Sequence, residues 1–150
     1  MIDSSVLEQL TTDARNDGVE QLVVGAIVRD EDNVLLLKRP ADDFMGGIFE
    51  LPSGKVEGDE GLVPAVLREV EEETGLIVTD IDFHVGNFDY TSGSGKKSRQ
   101  FNFAVSVAEI TDIKLSEHDT HVWVSLSDEL PVTDAVKEIF EEYKQMANLA

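Results

Sequence analysis

The stretch LVPAVLREVEEETG (62–75) constrains the fold of this chain more than any other. Leu62, Val66 and Val70 recur at four-residue steps with Val63 and Leu67 beside them, which predicts an amphipathic helix over 62–74. Pro64 falls in its first turn, where a missing N–H breaks no intrahelical bond. Gly75 supplies a left-handed C-terminal cap. The same helix carries four glutamates within five positions, Glu69, Glu71, Glu72 and Glu73. Like charges three and four residues apart repel on a helix, so this face needs either water or a counter-charge.

Strand signals lie on both sides of the helix. LVVGAIV (22–28) and VLLLK (34–38) are apolar runs separated by the polar turn RDEDN (29–33), which predicts a β-hairpin. RPADDFMGG (39–47) reads as a loop, IFELP (48–52) as a short extended piece, and SGKVEGDEG (53–61) as a glycine-rich acidic loop. Downstream, IDFHVGNFDY (81–90) reads as a strand and TSGSGKKSRQ (91–100) as a flexible basic hairpin loop. In FNFAVSV (101–107), Phe101, Phe103, Val105 and Val107 point one way and Asn102, Ala104 and Ser106 the other. HVWVSL (121–126) is a last strand. DAVKEIFEEYKQM (134–146) is a helix with Val136, Ile139, Phe140 and Tyr143 on one side. Residues 3–16, within an N-terminal segment 1–20, form either a short helix or a loose arm. No repeat or linker divides the chain, so a single domain over 1–150 is expected. The pattern predicts an α/β fold with a mixed sheet packed between helices.

Composition excludes several functions. With no cysteine, the chain has neither a disulfide framework nor a thiolate metal site. The formal net charge of −19 argues against binding a nucleic-acid duplex or an anionic membrane, both of which need basic patches. A phosphorylated small molecule stays compatible with that charge, because a divalent cation reverses it locally. No apolar run approaches the ~20 residues that span a bilayer. The start, MIDSSVLEQLTTDARNDG, lacks the basic and apolar regions of a signal peptide. A cytoplasmic protein is the expectation.

At about 100° per residue, Glu69, Glu72 and Glu73 fall on one arc of the helix, beside the apolar stripe, and Glu71 points elsewhere. Three carboxylates converging there suit a hard cation such as Mg²⁺ or Mn²⁺. The alternative is a solvated acidic face. The preceding loop favours the metal. Gly54, Lys55, Gly58 and Gly61 let backbone carbonyls approach the same point, and Arg68 can pair with a neighbouring carboxylate and set its rotamer.

From Gly54 to Leu76 the chain resembles the signature of the Nudix (MutT-like) hydrolase family. Gly54, Glu60, Arg68, Glu69, Val70, Glu72, Glu73, Gly75 and Leu76 occupy its nine defined positions. Ser53 stands where a glycine is common. The resemblance implies an α/β/α sandwich and a Mg²⁺-dependent pyrophosphohydrolase, with Mn²⁺ able to substitute, that cleaves a nucleoside diphosphate linked to another group. It implies metal ligation by Glu69, Glu72 and Glu73 with the Gly54 carbonyl, and catalysis by Glu69, Glu72 and a loop glutamate, Glu117. Glu60, Arg68 and Gly75 would brace the motif.

The substrate-binding candidates are Arg39, Tyr90, Lys97, Arg99 and Asp134. Arg39 ends the second strand. Lys97 and Arg99 belong, with Lys96, to the one basic cluster of the sequence. Tyr90 is the best placed of the aromatics Phe44, Phe49, Phe88, Tyr90 and Trp123 to stack on a base. Thr133 and Asp134 lie where related triphosphatases read a purine, though the asparagine of that pattern is missing. His118 and His121 read as surface residues. A (deoxy)nucleoside triphosphate is the first substrate class. An ADP-ribose or nucleotide-sugar pyrophosphatase, as a homodimer through residues 1–20, is the second. A nucleotide-binding sensor without catalysis is a third reading, which the intact carboxylates disfavour.

Overall fold

The computed structural model describes residues 2–42 and 46–147. Phe44, one of the stacking candidates, lies outside the described residues. The N-terminal segment takes the helical alternative, α1 (Ser4–Asn16). The Asp3 carboxylate accepts the Ser5 N–H at 2.9 Å and so caps it. Its Leu7, Leu10 and Ala14 pack on the protein's own core.

β1 (Gln21–Asp30) and β2 (Asn33–Lys38) form the expected hairpin, but they pair only beside the turn, with Arg29 opposite Val34 and Asp30 opposite Asn33. Beyond it they part. β2 takes β3 (Phe49–Glu50) and β7 (Thr120–Ser125) as antiparallel partners. β1 takes β4 (Ser53–Lys55) antiparallel along one edge and β6 (Lys97–Val107) parallel along the other. β5 (Val78–Thr91) closes the order as an antiparallel partner of β6, with register shifts at three points.

Two expectations change here. Ser53–Lys55 is a strand, because β1 offers Val23, Val24 and Gly25 as hydrogen-bonding partners to a segment that reads as loop alone. The flexible loop expected over 91–100 shrinks to the few residues between β5 and β6. Lys97, Ser98, Arg99 and Gln100 instead belong to a strand held between β1 and β5.

Alternation along β6 divides the core. Phe101, Phe103 and Val105 face α2 (Leu62–Thr74), joining Leu62, Ala65, Val66 and Val70. Ala104 faces the other way, with Ile27, Leu36 and Val85, onto Val136, Ile139, Phe140 and Tyr143 of α3 (Asp134–Met146). The sheet thus lies between helices in an α/β/α arrangement. Leu67, expected in the α2 stripe, is 39 % exposed, and Ala65 fills the inward position. Gly75 does cap α2, with φ 79° and its N–H donating to the Glu71 carbonyl at 2.9 Å. Among the described residues no helix is long and apolar enough to cross a membrane.

Candidate active site

A cleft of about 770 Å³ opens where β3, β4, α2 and the loop before β7 meet. Glu69, Glu72 and Glu73 all line it, as the helical arc predicts, and Glu71 does not. Its walls also carry Gly54, Arg39, Tyr90 and Glu117.

Gly54 is required by proximity. A Cβ there would overlap the Glu69 carboxylate, so only a residue without a side chain lets β4 pass this close to α2. Arg68 organises the acidic face. Its Nε and Nη2 each donate to Glu60 at 2.8 Å, in a two-pronged pair, and Nη2 also donates to the Lys55 carbonyl at 2.9 Å. Its Nη1 donates to Glu69 at 2.6 Å and to Glu72 at 3.3 Å. This guanidinium holds the Glu60 carboxyl down at about 2.

Glu73 is the most strained group electrostatically. It is buried, and one carboxyl oxygen accepts the Ser53 N–H at 2.7 Å. Burial, with added repulsion from Glu69, Glu50 and Glu117, pushes its pKa up to about 9. Burial also raises Glu69, against the pull of Arg68. At that value the Glu73 carboxyl stays protonated near neutrality until a positive charge reaches it.

Two groups that line the cleft escaped the sequence reading. Glu50, on β3, accepts from Arg39 Nη1 at 3.1 Å and meets His118 Nε2 at 2.8 Å. His118, expected at the surface, has a side chain only 5 % exposed, and its Nδ1 lies 3.7 Å from Glu73 without a hydrogen bond. With Glu50 as a carboxylate, Nε2–H donates, and in the neutral imidazole Nδ1 is then an acceptor on the side of Glu73. The only signal in the sequence was a charge inside the apolar run IFELP (48–52).

The remaining candidates fall elsewhere. Arg99 donates to both oxygens of Asp89, at 2.6 and 2.9 Å, and to Asp17 at 3.0 Å. Lys97 Nζ donates to the Asp17 carbonyl at 2.7 Å. Neither lines the cleft, because strand pairing turns them toward α1 and β5. Asp134 sits in the first turn of α3, exposed, beside the helix-capping Thr133, which does line the cleft.

The donor set fits a divalent cation. Glu69 Oε2, Glu72 Oε1 and Glu73 Oε2 accept no hydrogen bond among the described residues, and hard cations take oxygen ligands. Among these residues no three acidic or imidazole groups already converge on one point. Arg68 Nη1 takes part of the charge instead.

Comparison with known proteins places the chain. Residues 19–146 match the NUDIX domain. The chain belongs to the Nudix family. Its Nudix domain is 41 % identical over 58 residues to an 8-oxo-dGTP diphosphatase of Proteus vulgaris, covering 39 % of this chain and 52 % of that protein. It is 45 % identical over 56 residues to an ADP-ribose pyrophosphatase of Methanocaldococcus jannaschii, covering 37 % and 32 %. The matches thus span about half or less of these curated relatives. Among solved structures, the MutT protein of Methanosarcina mazei Go1 superposes with a TM-score of 0.75 at 31 % identity, over 85 % of this Nudix chain and 94 % of that one.

Proposed function

We propose that this Nudix protein is a Mg²⁺-dependent pyrophosphohydrolase that cleaves a (deoxy)nucleoside triphosphate to a monophosphate and pyrophosphate. The observation that carries this reading is the set Glu69, Glu72 and Glu73 on one wall of a cleft, with Gly54 leaving room for Glu69. Bound Mg²⁺ would neutralise the diphosphate and acidify a water. Glu69, Glu72, Glu73 and the Gly54 carbonyl would hold that cation. In the reaction a water oxygen forms a bond to phosphorus, the bridging phosphorus–oxygen bond breaks, and its electron pair leaves with the departing group. Glu69, beside the guanidinium of Arg68, takes the proton from water. Glu117, exposed at the lip of the cleft, is a second carboxylate within the same space. Arg39, held on Glu50, and Tyr90 face the substrate.

The match to an ADP-ribose pyrophosphatase supports a second reading, in which the leaving group is a sugar phosphate. One panel separates the two: nucleoside triphosphates, ADP-ribose, nucleotide sugars and dinucleoside polyphosphates with Mg²⁺, products identified by mass. Monophosphate plus pyrophosphate supports the first. Cleavage of sugar-linked substrates alone supports the second, and no cleavage of any substrate refutes both.

A further inference from the structure

The second face of β6 is unusual for a central strand. Ser98 and Asn102 are fully buried and Gln100 is 8 % exposed, in a row on the side where the next residue, Ala104, packs on α3. Burying three polar side chains in a row is costly unless each is bonded or used. Ser98 is bonded: its hydroxyl donates to the Lys96 carbonyl at 3.1 Å and to Gln21 Oε1 at 3.2 Å. Asn102 is bonded too. Its Nδ2 donates to the Gly86 carbonyl at 3.2 Å and to the Gln100 carbonyl at 3.4 Å, and its Oδ1 accepts Gln100 Nε2 at 2.8 Å.

Gln100 is different. Because Asn102 spends its amide nitrogen on two carbonyls, its oxygen must face the Gln100 NH₂, which settles which way the Gln100 amide points. One Gln100 N–H is then committed. The other N–H and Oε1 take no partner among the described residues, and the side chain lines the cleft.

The backbone is shaped around this pair. Gly25 stands opposite Asn102 on β1. A Cβ there would lie 2.5 Å from Asn102 Oδ1 and 2.6 Å from Gln100 Nε2. Glycine weakens a strand interior, and close approach of another group is what it permits. On the other side, Phe88 stands opposite Gln100 and Tyr90 opposite Ser98. These two rings line the cleft with centroids 6.1 Å apart.

We propose that Gln100, locked by Asn102 over Gly25, reads the edge of the substrate's nucleobase, which stacks beside Phe88 and Tyr90. A fixed amide presents a donor beside an acceptor, the pattern that glutamine uses on a base edge. The placement agrees with a nucleotide. Lys55, Val23 and Gln100 are direct neighbours across three strands, so Gln100 lies about 10 Å from β4 at about 4.8 Å per strand. A diphosphate at Gly54 and Glu69 would extend its ribose and base along that direction. This inference rests on the nucleotide reading above and adds the residue that recognises the base.

The test uses the full chain and Mg²⁺. Calorimetry measures binding of the four nucleoside 5′-monophosphates and of ribose 5-phosphate, which has no base, and kcat/KM is measured on the matching triphosphates. Gln100→Leu should weaken binding of the preferred monophosphate by about tenfold and level the differences between bases. Ribose 5-phosphate binding should not change. Gly25→Ala, which reaches the ligand only by displacing Gln100 and Asn102, should reproduce the loss. Melting curves establish that each variant is folded, and Gln100→Leu decides alone if Gly25→Ala is not. An unchanged order of base preference in Gln100→Leu overturns the proposal. So does an equal loss for monophosphate and ribose 5-phosphate, which marks a structural role. Base-dependent binding that Gln100→Leu abolishes, without any cleavage by the wild type, keeps the base site and removes the hydrolase reading. Cleavage with no effect of Gln100 does the reverse.

Discussion

Glu73→Gln is the substitution with the most to reveal, because it should raise stability while it removes activity. Burial lifts the Glu73 carboxyl from the ordinary 4.5 of a glutamate to about 9. Below pH 4.5 the group is protonated whether the chain is folded or not. As pH rises from there to about 9, the unfolded chain ionises and the folded one stays protonated, so the metal-free protein loses stability across that window. At pH 7 the loss covers about 2.5 pH units at about 1.36 kcal/mol each, on the order of 3 kcal/mol. Glutamine keeps an oxygen for the Ser53 N–H, now at 2.7 Å from Glu73, and carries no charge. At 2–4 °C per kcal/mol for a chain of this length, Glu73→Gln in EDTA at pH 7 should melt about 6–12 °C above wild type. The two should converge near pH 4.5. Mg²⁺ should raise the wild-type melting temperature, more so at higher pH because the cation displaces a proton, and leave the variant nearly unmoved. Turnover should fall by orders of magnitude. The assay is a set of melts from pH 4.5 to 9, with EDTA and with Mg²⁺. A variant that melts at or below wild type throughout, or keeps its pH slope, would refute the account of Glu73 as a buried carboxyl awaiting a cation.

Three further outcomes are expected. Gly54→Ala should push the Glu69 carboxylate aside and weaken Mn²⁺ binding, read by electron paramagnetic resonance, about 10–100-fold, the usual scale for disturbing a ligand's surroundings; unchanged affinity would remove Glu69 from the metal site. Glu117→Gln should lower kcat with the melting temperature unchanged, and full activity would end its catalytic role. Phe140→Ala on α3 should cost about 3–5 kcal/mol in urea unfolding, because Phe140 is 1 % exposed in the α3-side core.

Much of the helical architecture was legible because periodicity is a local property. The α2 stripe, its Gly75 cap and the inward side of α3 follow from spacing alone, and so does the convergence of Glu69, Glu72 and Glu73 on one arc. Of the two short strands, Phe49–Glu50 was legible as an extended piece and Ser53–Lys55 was not. Ser53–Lys55 has no pattern of its own and becomes a strand because β1 presents unpaired backbone groups to it. The loop reading of 91–100 failed for the same reason: Ser, Gly and Lys are turn residues, yet pairing to β1 and β5 holds 97–100 extended and spends Arg99 and Lys97 on Asp89 and Asp17.

The sequence by itself determined the family, the acidic helix face and the apolar faces that build the two cores, since each depends on residue type at fixed spacing. Only the tertiary structure decided which polar residues share the cleft. Glu50, Glu73 and His118 are brought together from a short strand, a helix and a loop, and Gln100 meets Gly25 and Phe88 across three strands. The physical reason is that strand pairing and burial act between residues far apart in the chain. They set a side chain's neighbours, and with them its charge state and its free hydrogen-bonding groups, in a way that no local spacing encodes.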